Sequence, residues 1–540
     1  MKKTVRALLC AAVIVISGCS SGNGEQSGIR FVDAGGHSVS DSSTVTSDAD
    51  SNEEYTVGGM HESTAETGTM NDFKPSEPNE SAESRGESAS TSDVTGTSAV
   101  TSGTPAKTDE PKPQTTQPAT TITTDPPATA VTEPPQTTAA ENAPAATTTE
   151  TAAERIPTDE PPEIPTVSVG ANSYQTLNYS DIKGIWISYI ELSEMLTGQS
   201  ESAFRRNIGA AYDNIAELGL NTVYVHVRSH GDAYYASELF PPSKYGSGTL
   251  GKAPDFDPLE IMIEEAHERD LSFQAWINPL RCCTVSELSA VSGYKIYDLA
   301  DGKRAVAVNG TYYLNPAYEE VIEYIAQGAA EIAANYDVDG LHIDDYFYPT
   351  TDSSFDSAAY SQSGFETISS FRLANCDKLV SGIYGAVKSA NSGAVFSVSC
   401  QGSIENNYNQ MYADVKKWCT QAGYLDYVMP QIYYGFNNSA QPYEVCTSRW
   451  NEIAQAGGIP LVVGLSVSKV GLEDTWAGVG KTEWITDENI LARQIRYALE
   501  LRSYGGVCLY SYRSVFAPEA GVKAQVEEEI SAVRGLLSES

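Results

Sequence analysis

The chain has 540 residues and a formal net charge of −37 at pH 7, and hydrophobic residues make up 41% of it. This length exceeds one ordinary domain, so we expect a long segment without a core beside the folded part. The negative charge, and the lack of a basic stripe interleaved with aromatic residues, argue against a nucleic-acid partner. Residues 20–165 hold 25 acidic and 6 basic side chains, a net charge of −19, so much of the chain's negative charge is expected on solvated surface.

The N-terminus has the pattern of a secretory signal peptide. Lys2, Lys3 and Arg6 precede the apolar run ALLCAAVIVISG, which is short for a membrane span. The run ends in ISGC at Cys19, which resembles the bacterial lipobox. The resemblance implies that residues 1–19 are a lipoprotein signal and that lipid on Cys19 anchors the protein to the extracellular face of a Gram-positive-type cell membrane. A plain signal peptide with a chance cysteine is the alternative.

Residues 20–175 are predicted to be a disordered acidic linker. Their composition is dominated by Ser, Thr, Pro, Ala and acidic residues, as in KPQTTQPATTITTDPPATAVTEPPQTT. Apolar periodicity is absent, so no core offsets the entropy of ordering. The segment resembles the Thr/Pro-rich stalks of Gram-positive surface proteins, and its proline content keeps such a chain extended.

Residues 176–540 alternate between strand-like and helix-like patterns, which predicts a (β/α)8 barrel, also called a TIM barrel, with enlarged loops. Amphipathic stretches separate eight short apolar runs, and one stretch opens with Asp257-Pro258, a helix N-cap followed by proline. The runs are KGIWISYI, NTVYVHVRS, LSFQAWINP, DGLHIDDY, AVFSVSCQG, LDYVMPQIYY, IPLVVGLSVS and GGVCLYSY. The alternative is an open doubly wound sheet, which is weakened because no GxGxxG or phosphate-binding loop follows a strand.

Seven cysteines belong to this part of the chain, and we expect most of them to be buried thiols. Their odd number and irregular spacing do not form a disulfide framework, and no paired CxxC motif indicates zinc. They are Cys282, Cys283, Cys376, Cys400, Cys419, Cys446 and Cys508.

Two adjacent acids stand at the end of the fourth predicted barrel strand, in DGLHIDDYFYP. Side chains alternate between the helix-facing side and the barrel interior, so Leu341 and Ile343 facing the helices predict that His342 and Asp344 face inward. Asp344 then lies at the C-terminal mouth, where barrel active sites form. Strict alternation points Asp345 elsewhere unless the strand bulges, so we expect Asp345 at the rim.

The same alternation predicts further inward-facing polar and aromatic side chains. They are His226 and Arg228 in the second strand, Gln274, Trp276 and Asn278 in the third, Gln431 and Tyr433 in the sixth, and Tyr510 in the eighth. Taken singly, each of these side chains fits equally well the role of a hydrogen-bonded polar residue in the core. Buried polar groups are costly unless paired, so the convergence of these four strands with the fourth strand, five in all, favours a binding site.

The order of six segments resembles the bacterial glycosyl-hydrolase-like family 10, which includes peptidoglycan glycan-strand hydrolases. The segments are GIWISY, LGLNTVYVHVRSHGDAYYASELFPPSKY, FDPLEIMIEEAHERDLSFQAWINPLR, YLNPAYEEVIEYI, YDVDGLHIDDYFYP and LDYVMPQIYY, within residues 181–535. The resemblance implies a (β/α)8 barrel that hydrolyses a bacterial cell-wall or related glycan. Two departures bear on the sugar subsites: Tyr434 stands where the family usually has Trp, and FSVSCQG replaces the usual FGVSPxG.

Glycosidic cleavage usually needs two carboxyl groups across the scissile bond. We expect Asp344 to be the general acid, which requires a raised pKa. The second carboxylate stays open, because Asp345 suits a substrate-assisted route through a sugar N-acetyl group, whereas Asp232 suits a two-carboxylate route. Weaker candidates are Glu191, Glu194 and Glu405, and Asp414 is expected to cap a helix.

Flat aromatic faces and polar groups at the strand ends are expected to bind the sugar. The predicted binding set is Arg228, His226, Trp276, Asn278, Arg281, His342, Tyr346, Gln431, Tyr433 and Tyr510. No metal or cofactor is expected, since no calcium-loop spacing appears. These features favour a monomeric, surface-anchored glycoside hydrolase acting on peptidoglycan or another amino-sugar polysaccharide. The alternative is a catalytically silent barrel that binds wall glycan as an adhesin or scaffold, and a metal-dependent deacetylase is disfavoured.

Overall fold

The computed structural model describes residues 170–539 of the chain. The predicted signal peptide, the lipid attachment at Cys19 and most of the predicted linker lie outside the described residues. Contacts with the barrel already begin at Asn172, whose backbone N–H donates to the Ala390 carbonyl at 2.8 Å.

Eight parallel strands close into a barrel, which confirms the predicted architecture, and each of the eight predicted runs overlaps one of them. The described residues form eleven strands in all: β1 (Ile182–Ile187), β2 (Thr222–Arg228), β3 (Ser272–Ile277), β4 (Arg281–Thr284), β5 (Ala305–Val308), β6 (Thr311–Leu314), β7 (Gly340–Ile343), β8 (Val395–Val398), β9 (Tyr427–Val428), β10 (Leu461–Ser466) and β11 (Tyr504–Tyr510). The order around the barrel is β1-β11-β10-β9-β8-β7-β3-β2, and β4-β6-β5 form a small antiparallel sheet inserted after β3.

Helices surround the barrel. They are α1 (Tyr189–Leu196), α2 (Glu201–Leu218), α3 (Lys244–Ser247), α4 (Pro258–His267), α5 (Lys295–Leu299), α6 (Glu319–Asn335), α7 (Ser357–Ser363), α8 (Ile368–Ala390), α9 (Ile404–Asn409), α10 (Val415–Thr420), α11 (Tyr443–Gly457), α12 (Glu483–Thr486), α13 (Ile490–Leu499), α14 (Tyr512–Phe516) and α15 (Lys523–Glu539). The predicted caps are confirmed: Asp257 accepts from the Leu259 N–H at 2.9 Å to start α4, and Asp414 accepts from the Lys417 N–H at 3.0 Å to start α10. Among the described helices, none is long and apolar enough to cross a bilayer.

Two apolar layers follow from the predicted alternation. The helix-facing layer contains Val223, Val225 and Ile343 and extends to the surrounding helices. The interior layer is largely aromatic and consists of Ile182, Trp186, Tyr224, Trp276, Tyr427, Met429, Val462 and Cys508. The interior is therefore packed beneath the mouth, as in other barrels whose core is filled by side chains. The seven cysteines of the described residues are all buried and none is in a disulfide, which confirms their prediction as thiols.

The inward orientation predicted for Arg228 is wrong, because β2 contains an irregularity at its end. His226 pairs with Trp276, but Arg228 pairs with Ile277, so the register shifts by one residue between them. A one-residue shift moves a side chain to the other face of a sheet. The Arg228 guanidinium consequently lies on the helix-facing side, 4.1 Å above the centre of the Phe240 ring.

The N-terminal end of the barrel is built around Asp339, which directly precedes β7 and is fully buried. One carboxylate oxygen accepts from the Tyr174 hydroxyl at 3.0 Å and the Leu177 N–H at 2.5 Å. The other accepts from the Phe273 N–H at 2.7 Å and contacts His267 Nε2 at 2.9 Å. Asp339 thereby ties the entering segment to β3, α4 and β7.

Candidate active site

The two adjacent acids lie at the mouth of the barrel, directly after β7. Strand β7 is only four residues long and all of it is buried, so the chain reaches the mouth at Asp344. Asp344 is 2% exposed and Asp345 is 7% exposed. Buried carboxylates require partners, and each of the two finds them on a different side of the mouth.

Asp344 is held by Asn278, which follows β3. The Asn278 amide nitrogen donates to both carboxylate oxygens at 2.7 Å, and the Tyr346 N–H donates to one of them at 3.3 Å. Contacts on the far side fix the orientation of this amide. The Tyr189 N–H donates to His226 Nδ1 at 3.1 Å, which leaves His226 Nε2–H to donate to Asn278 Oδ1 at 3.2 Å. His226 therefore acts on Asp344 through Asn278.

The environment of Asp344 favours its protonated form. Burial and, to a smaller extent, the neighbouring charge of Asp345 together raise the pKa of Asp344 to about 7, against the opposing effects of Arg281 and Asn278. The pKa of Asp345 is also raised by burial. Two carboxylates this close cannot both ionise freely, so the pair holds a proton near neutral pH.

Asp345 also belongs to the mouth, so its predicted position pointing elsewhere is wrong. Its carboxylate accepts from the Gln431 side-chain amide at 3.1 Å. Gln431 lies after β9, bridged to Gln401 after β8 and Gly464 in β10. The chain leaves β7 after Ile343, so strict alternation no longer governs the direction of Asp345.

Arg281 brings a positive charge to the edge of the site from β4. Its Nε donates to the Ser229 carbonyl at 3.0 Å and its Nη2 to Asn278 Oδ1 at 2.7 Å. Its guanidinium lies 4.4 Å from the centre of the Tyr346 ring and 5.6 Å from that of Tyr189. Arg281 thus holds Asn278 in place, and its guanidinium lies between the rings of Tyr346 and Tyr189 as in cation–π contacts.

Tyr433 and Tyr510 form an aromatic wall of the mouth. Both rings are partly exposed and they stack with centres 5.7 Å apart. Tyr510 also meets Trp186 edge-on, with centres 6.0 Å apart. A wall of partly exposed tyrosines offers a flat apolar face together with hydroxyl groups, which suits a sugar ring.

His342 and Trp276 lie beneath this wall, in the floor of the mouth. The Trp186 indole donates to His342 Nε2 at 3.2 Å, so Nδ1–H donates to the Ser397 hydroxyl at 2.8 Å. Ser397 occupies the position of the first glycine in the family pattern FGVSPxG, so this departure supplies the histidine with its partner. Trp276 stacks on His226 with ring centres 3.3 Å apart. Both predicted binding residues are at most 2% exposed and support the mouth from below.

Asp232 is engaged by its own turn. One carboxylate oxygen accepts from the His230 N–H at 2.8 Å and the Ser229 N–H at 3.2 Å. Burial raises its pKa, with Ser243 and these backbone amides acting in the opposite direction. These contacts stabilise the loop after β2, and within the described residues no hydrogen bond joins Asp232 to either mouth aspartate.

The weaker carboxylate candidates have structural partners. Glu191 forms a capping box with Ser188 at the start of α1 and accepts from the Arg513 N–H at 2.8 Å. Glu194 pairs with Arg513 at 2.7 Å, and Glu405 pairs with Arg449. Glu191 therefore has a capping role, and Glu194 and Glu405 form ion pairs at the surface.

Sequence reasoning missed Tyr189 and Gln401. Tyr189 begins α1 and supplies the N–H that sets the His226 tautomer. Gln401 lies three residues beyond the end of β8, and its side-chain hydrogen bond to Asp345 lowers the pKa of that carboxyl against the effect of burial. Both residues lie beyond their strands, where alternation gives no signal, although their positions at strand C-termini are where barrel sites gather.

A family model described as "Glycosyl hydrolase-like 10" matches residues 181–478. Over 376 residues the chain is 28% identical to the glycosyl hydrolase YngK of Bacillus subtilis (strain 168), covering 65% of this chain and 72% of that protein. Over 294 residues it is 32% identical to the glycosyl hydrolase DigH of Escherichia coli (strain K12), covering 49% of this chain and 67% of that protein. The family match includes both mouth aspartates, Asn278 and Gln431.

Among solved structures, the chain is similar to the PgaB (BpsB) glycoside hydrolase domain from Bordetella bronchiseptica. The TM-score is 0.43 and the identity is 14%, with 66% of this chain and 99% of that chain covered.

Proposed function

The chain belongs to the glycosyl hydrolase-like 10 family, and on that premise we propose that it is a surface-anchored glycoside hydrolase that cleaves peptidoglycan glycan strands or a related amino-sugar polysaccharide. The observation that carries the proposal is the buried pair of mouth aspartates, with the pKa of Asp344 raised to about 7. A carboxyl group that stays protonated near neutral pH can act as a general acid there.

In the proposed mechanism Asp344 donates its proton to the glycosidic oxygen as the bond to the anomeric carbon breaks. Asn278 fixes the carboxyl group in the mouth through its two 2.7 Å contacts. Such positioning is a large part of the rate enhancement, because it removes the need to orient the acid during the reaction. The resulting carboxylate then serves as the base that activates water in the second step.

We assign the second role to Asp345 in a substrate-assisted route. The acetamide oxygen of an N-acetylated sugar attacks the anomeric carbon and forms a cyclic intermediate, which water opens. Asp345 accepts a hydrogen bond from the acetamide N–H and stabilises the charge that develops on this group. The backbone contacts of Asp232 support this choice over the two-carboxylate route.

Surface anchoring rests on the sequence alone, through the basic region, the apolar run and Cys19. Fractionation of cells that express Cys19→Ala tests it. The variant should move from the membrane fraction to the medium, and unchanged membrane retention would refute lipid attachment at this residue.

The activity is tested by mass spectrometry of products released from purified sacculi, with and without prior removal of the stem peptides. Asp345→Asn should abolish cleavage of N-acetylated strands almost as fully as loss of the acid, whereas Asp232→Asn should retain turnover in proportion to its folded fraction. The reverse order would support the two-carboxylate route. Tight binding to sacculi without any released product would instead identify the protein as a glycan-binding scaffold.

A further inference from the structure

The loop between β10 and α13 exposes an unusual amount of apolar surface. Of eleven exposed large apolar side chains in the described residues, four lie in residues 472–485. They are Leu472, Trp476, Val479 and Ile485, and Trp476 is 56% exposed. Exposed large apolar side chains concentrated in one short segment indicate a candidate interaction site. The loop leaves the C-terminal end of β10, which is the end of the barrel that carries Asp344.

The tip of this loop is held in place by Asp474. Its carboxylate binds Lys469 Nζ at 2.7 Å, and its backbone N–H donates to the Lys481 carbonyl at 2.9 Å. The Ala477 N–H donates to the Asp474 carbonyl at 3.0 Å, which closes the turn around Trp476. A fixed turn presents the indole without the entropy cost of ordering it on binding.

The loop is also joined to the loop that follows β9. The Ser439 N–H donates to the Ala477 carbonyl at 2.9 Å, and the Val479 N–H donates to the Ser439 hydroxyl at 3.0 Å. Glu483 accepts from the backbone N–H groups of Phe436 and Asn437, each at 2.8 Å. The loop after β9 also carries Gln431, the partner of Asp345, so hydrogen bonds join the two loops at the end of the barrel that carries the mouth.

The charges near Trp476 decide which ligand it suits. Lys469 pairs with Asp474, and Lys481 pairs with Glu473 at 2.8 Å, so both lysines of the loop are neutralised. A flat indole without an available cation suits the apolar face of a sugar ring better than an anionic ligand.

We propose that Trp476 is an outer binding platform, on which a sugar ring of the bound polysaccharide stacks at a distance from the bond that is cleaved. This inference rests on the proposed function, because it takes the glycan in the mouth to continue along the rim. It implies that the substrate is a polymer long enough to reach from Asp344 to this loop, and that short fragments forgo the contact.

Kinetics on long and short glycan strands released from sacculi test the platform. An aromatic contact contributes about 0.5–1.5 kcal/mol, so Trp476→Ala should raise KM for long strands about 2–12-fold, with kcat little changed. The loss should shrink on fragments too short to reach the loop. Trp476→Phe keeps a flat apolar face and should recover most of the affinity. Leu499→Ala removes an exposed apolar side chain at the end of α13 and serves as the control that leaves KM unchanged.

Co-sedimentation with sacculi in an Asp344→Asn background gives a second readout that does not depend on cleavage. Weaker binding of the Trp476→Ala double variant supports the platform even if no product is ever detected, which would count against the proposed function alone. The platform is overturned if Trp476→Ala matches the parent in both KM and co-sedimentation, or if its effect is equally large on short fragments.

Discussion

Strand β7 carries a buried aspartate at each end, and the two differ in what surrounds them. Asp339, at the closed end, has two partners for each carboxylate oxygen, drawn from Tyr174, Leu177, His267 and Phe273. Asp344, at the mouth, has one side-chain amide shared between both oxygens, one longer contact from the Tyr346 N–H, and a second carboxylate beside it. A carboxylate surrounded by donors is a structural tie, whereas one beside a like charge is suited to hold and release a proton.

Asp339 and Asp344 lie within six residues of sequence, yet the first stabilises the fold and the second is suited to catalysis. The same residue type, equally buried, serves opposite purposes because its neighbours either satisfy the charge or repel it. Substituting the same amide at both positions therefore tests the difference directly.

The largest effect is expected from Asp344→Asn. An amide preserves size and an acceptor for Asn278 but cannot transfer the proton, so turnover should fall about 10²–10⁴-fold. Glycan binding should persist, and the melting temperature at pH 8 should not fall, because a neutral amide replaces a buried carboxylate that is costly to ionise. Activity assays and thermal melts on the same preparation measure both. Full activity of this variant would refute the assignment of the acid.

The matched change Asp339→Asn should act in the opposite way. Its amide group would face two hydrogen-bond donors, so the free energy of unfolding should fall by about 2–3 kcal/mol. Turnover per folded molecule should be retained, since Asp339 lies at the end of the barrel away from the mouth. Denaturant unfolding and active-site-normalised kinetics check this, and a loss of turnover at full stability would contradict it.

The pH profile sharpens the comparison further. The acid must be protonated, and the pKa of Asp344 is about 7, so kcat/KM should fall about tenfold per pH unit above that value. The pKa of Asp344 is higher in the folded state than in the unfolded state, so binding of the proton stabilises the fold. The free energy of unfolding should therefore fall as pH rises from about 4 through about 7. Rates and melts recorded between pH 4 and 9 measure both trends. A flat activity profile from pH 6 to 9 would exclude the pair as the titrating group.

The smallest expected effect concerns the floor of the mouth. Ser397→Ala removes the acceptor of His342 Nδ1–H, which lies at 2.8 Å, and should lower the free energy of unfolding by about 1 kcal/mol. Urea denaturation measures it. An unchanged unfolding midpoint would show that the departure from the family glycine has no energetic role.

The sequence predicted most of the barrel because apolar runs and alternation are local signals. Val223, Val225 and Ile343 identified the helix-facing layer, and Asp344 followed from it at the mouth. The same rule failed for Arg228, because a register shift at the end of β2 reverses the face that a residue occupies. Such a shift depends on how β2 pairs with β3 and leaves no mark in either strand alone.

The rest of the site depends on contacts between distant segments. The amide of Asn278 is oriented by His226 from another strand, and Asp345 is held by Gln431, which lies 86 positions further along the chain. The antiparallel sheet that carries Arg281 was also absent from the prediction. Local sequence patterns carry no information about these contacts between distant residues.

The packed floor beneath Asp344 determines the path by which the enzyme recovers its proton. Both ring nitrogens of His342 are engaged, by Trp186 and Ser397, and the remaining interior below is filled by aromatic and aliphatic side chains. The exchangeable groups of this floor include the hydroxyls of Tyr224 and Tyr427, which are 2.7 Å apart, but within the described residues the hydrogen bonds of Asp344 go to Asn278 and the Tyr346 N–H and not to the floor. Each proton given to a leaving group must therefore be replaced through the mouth, along the route by which substrate enters and product departs.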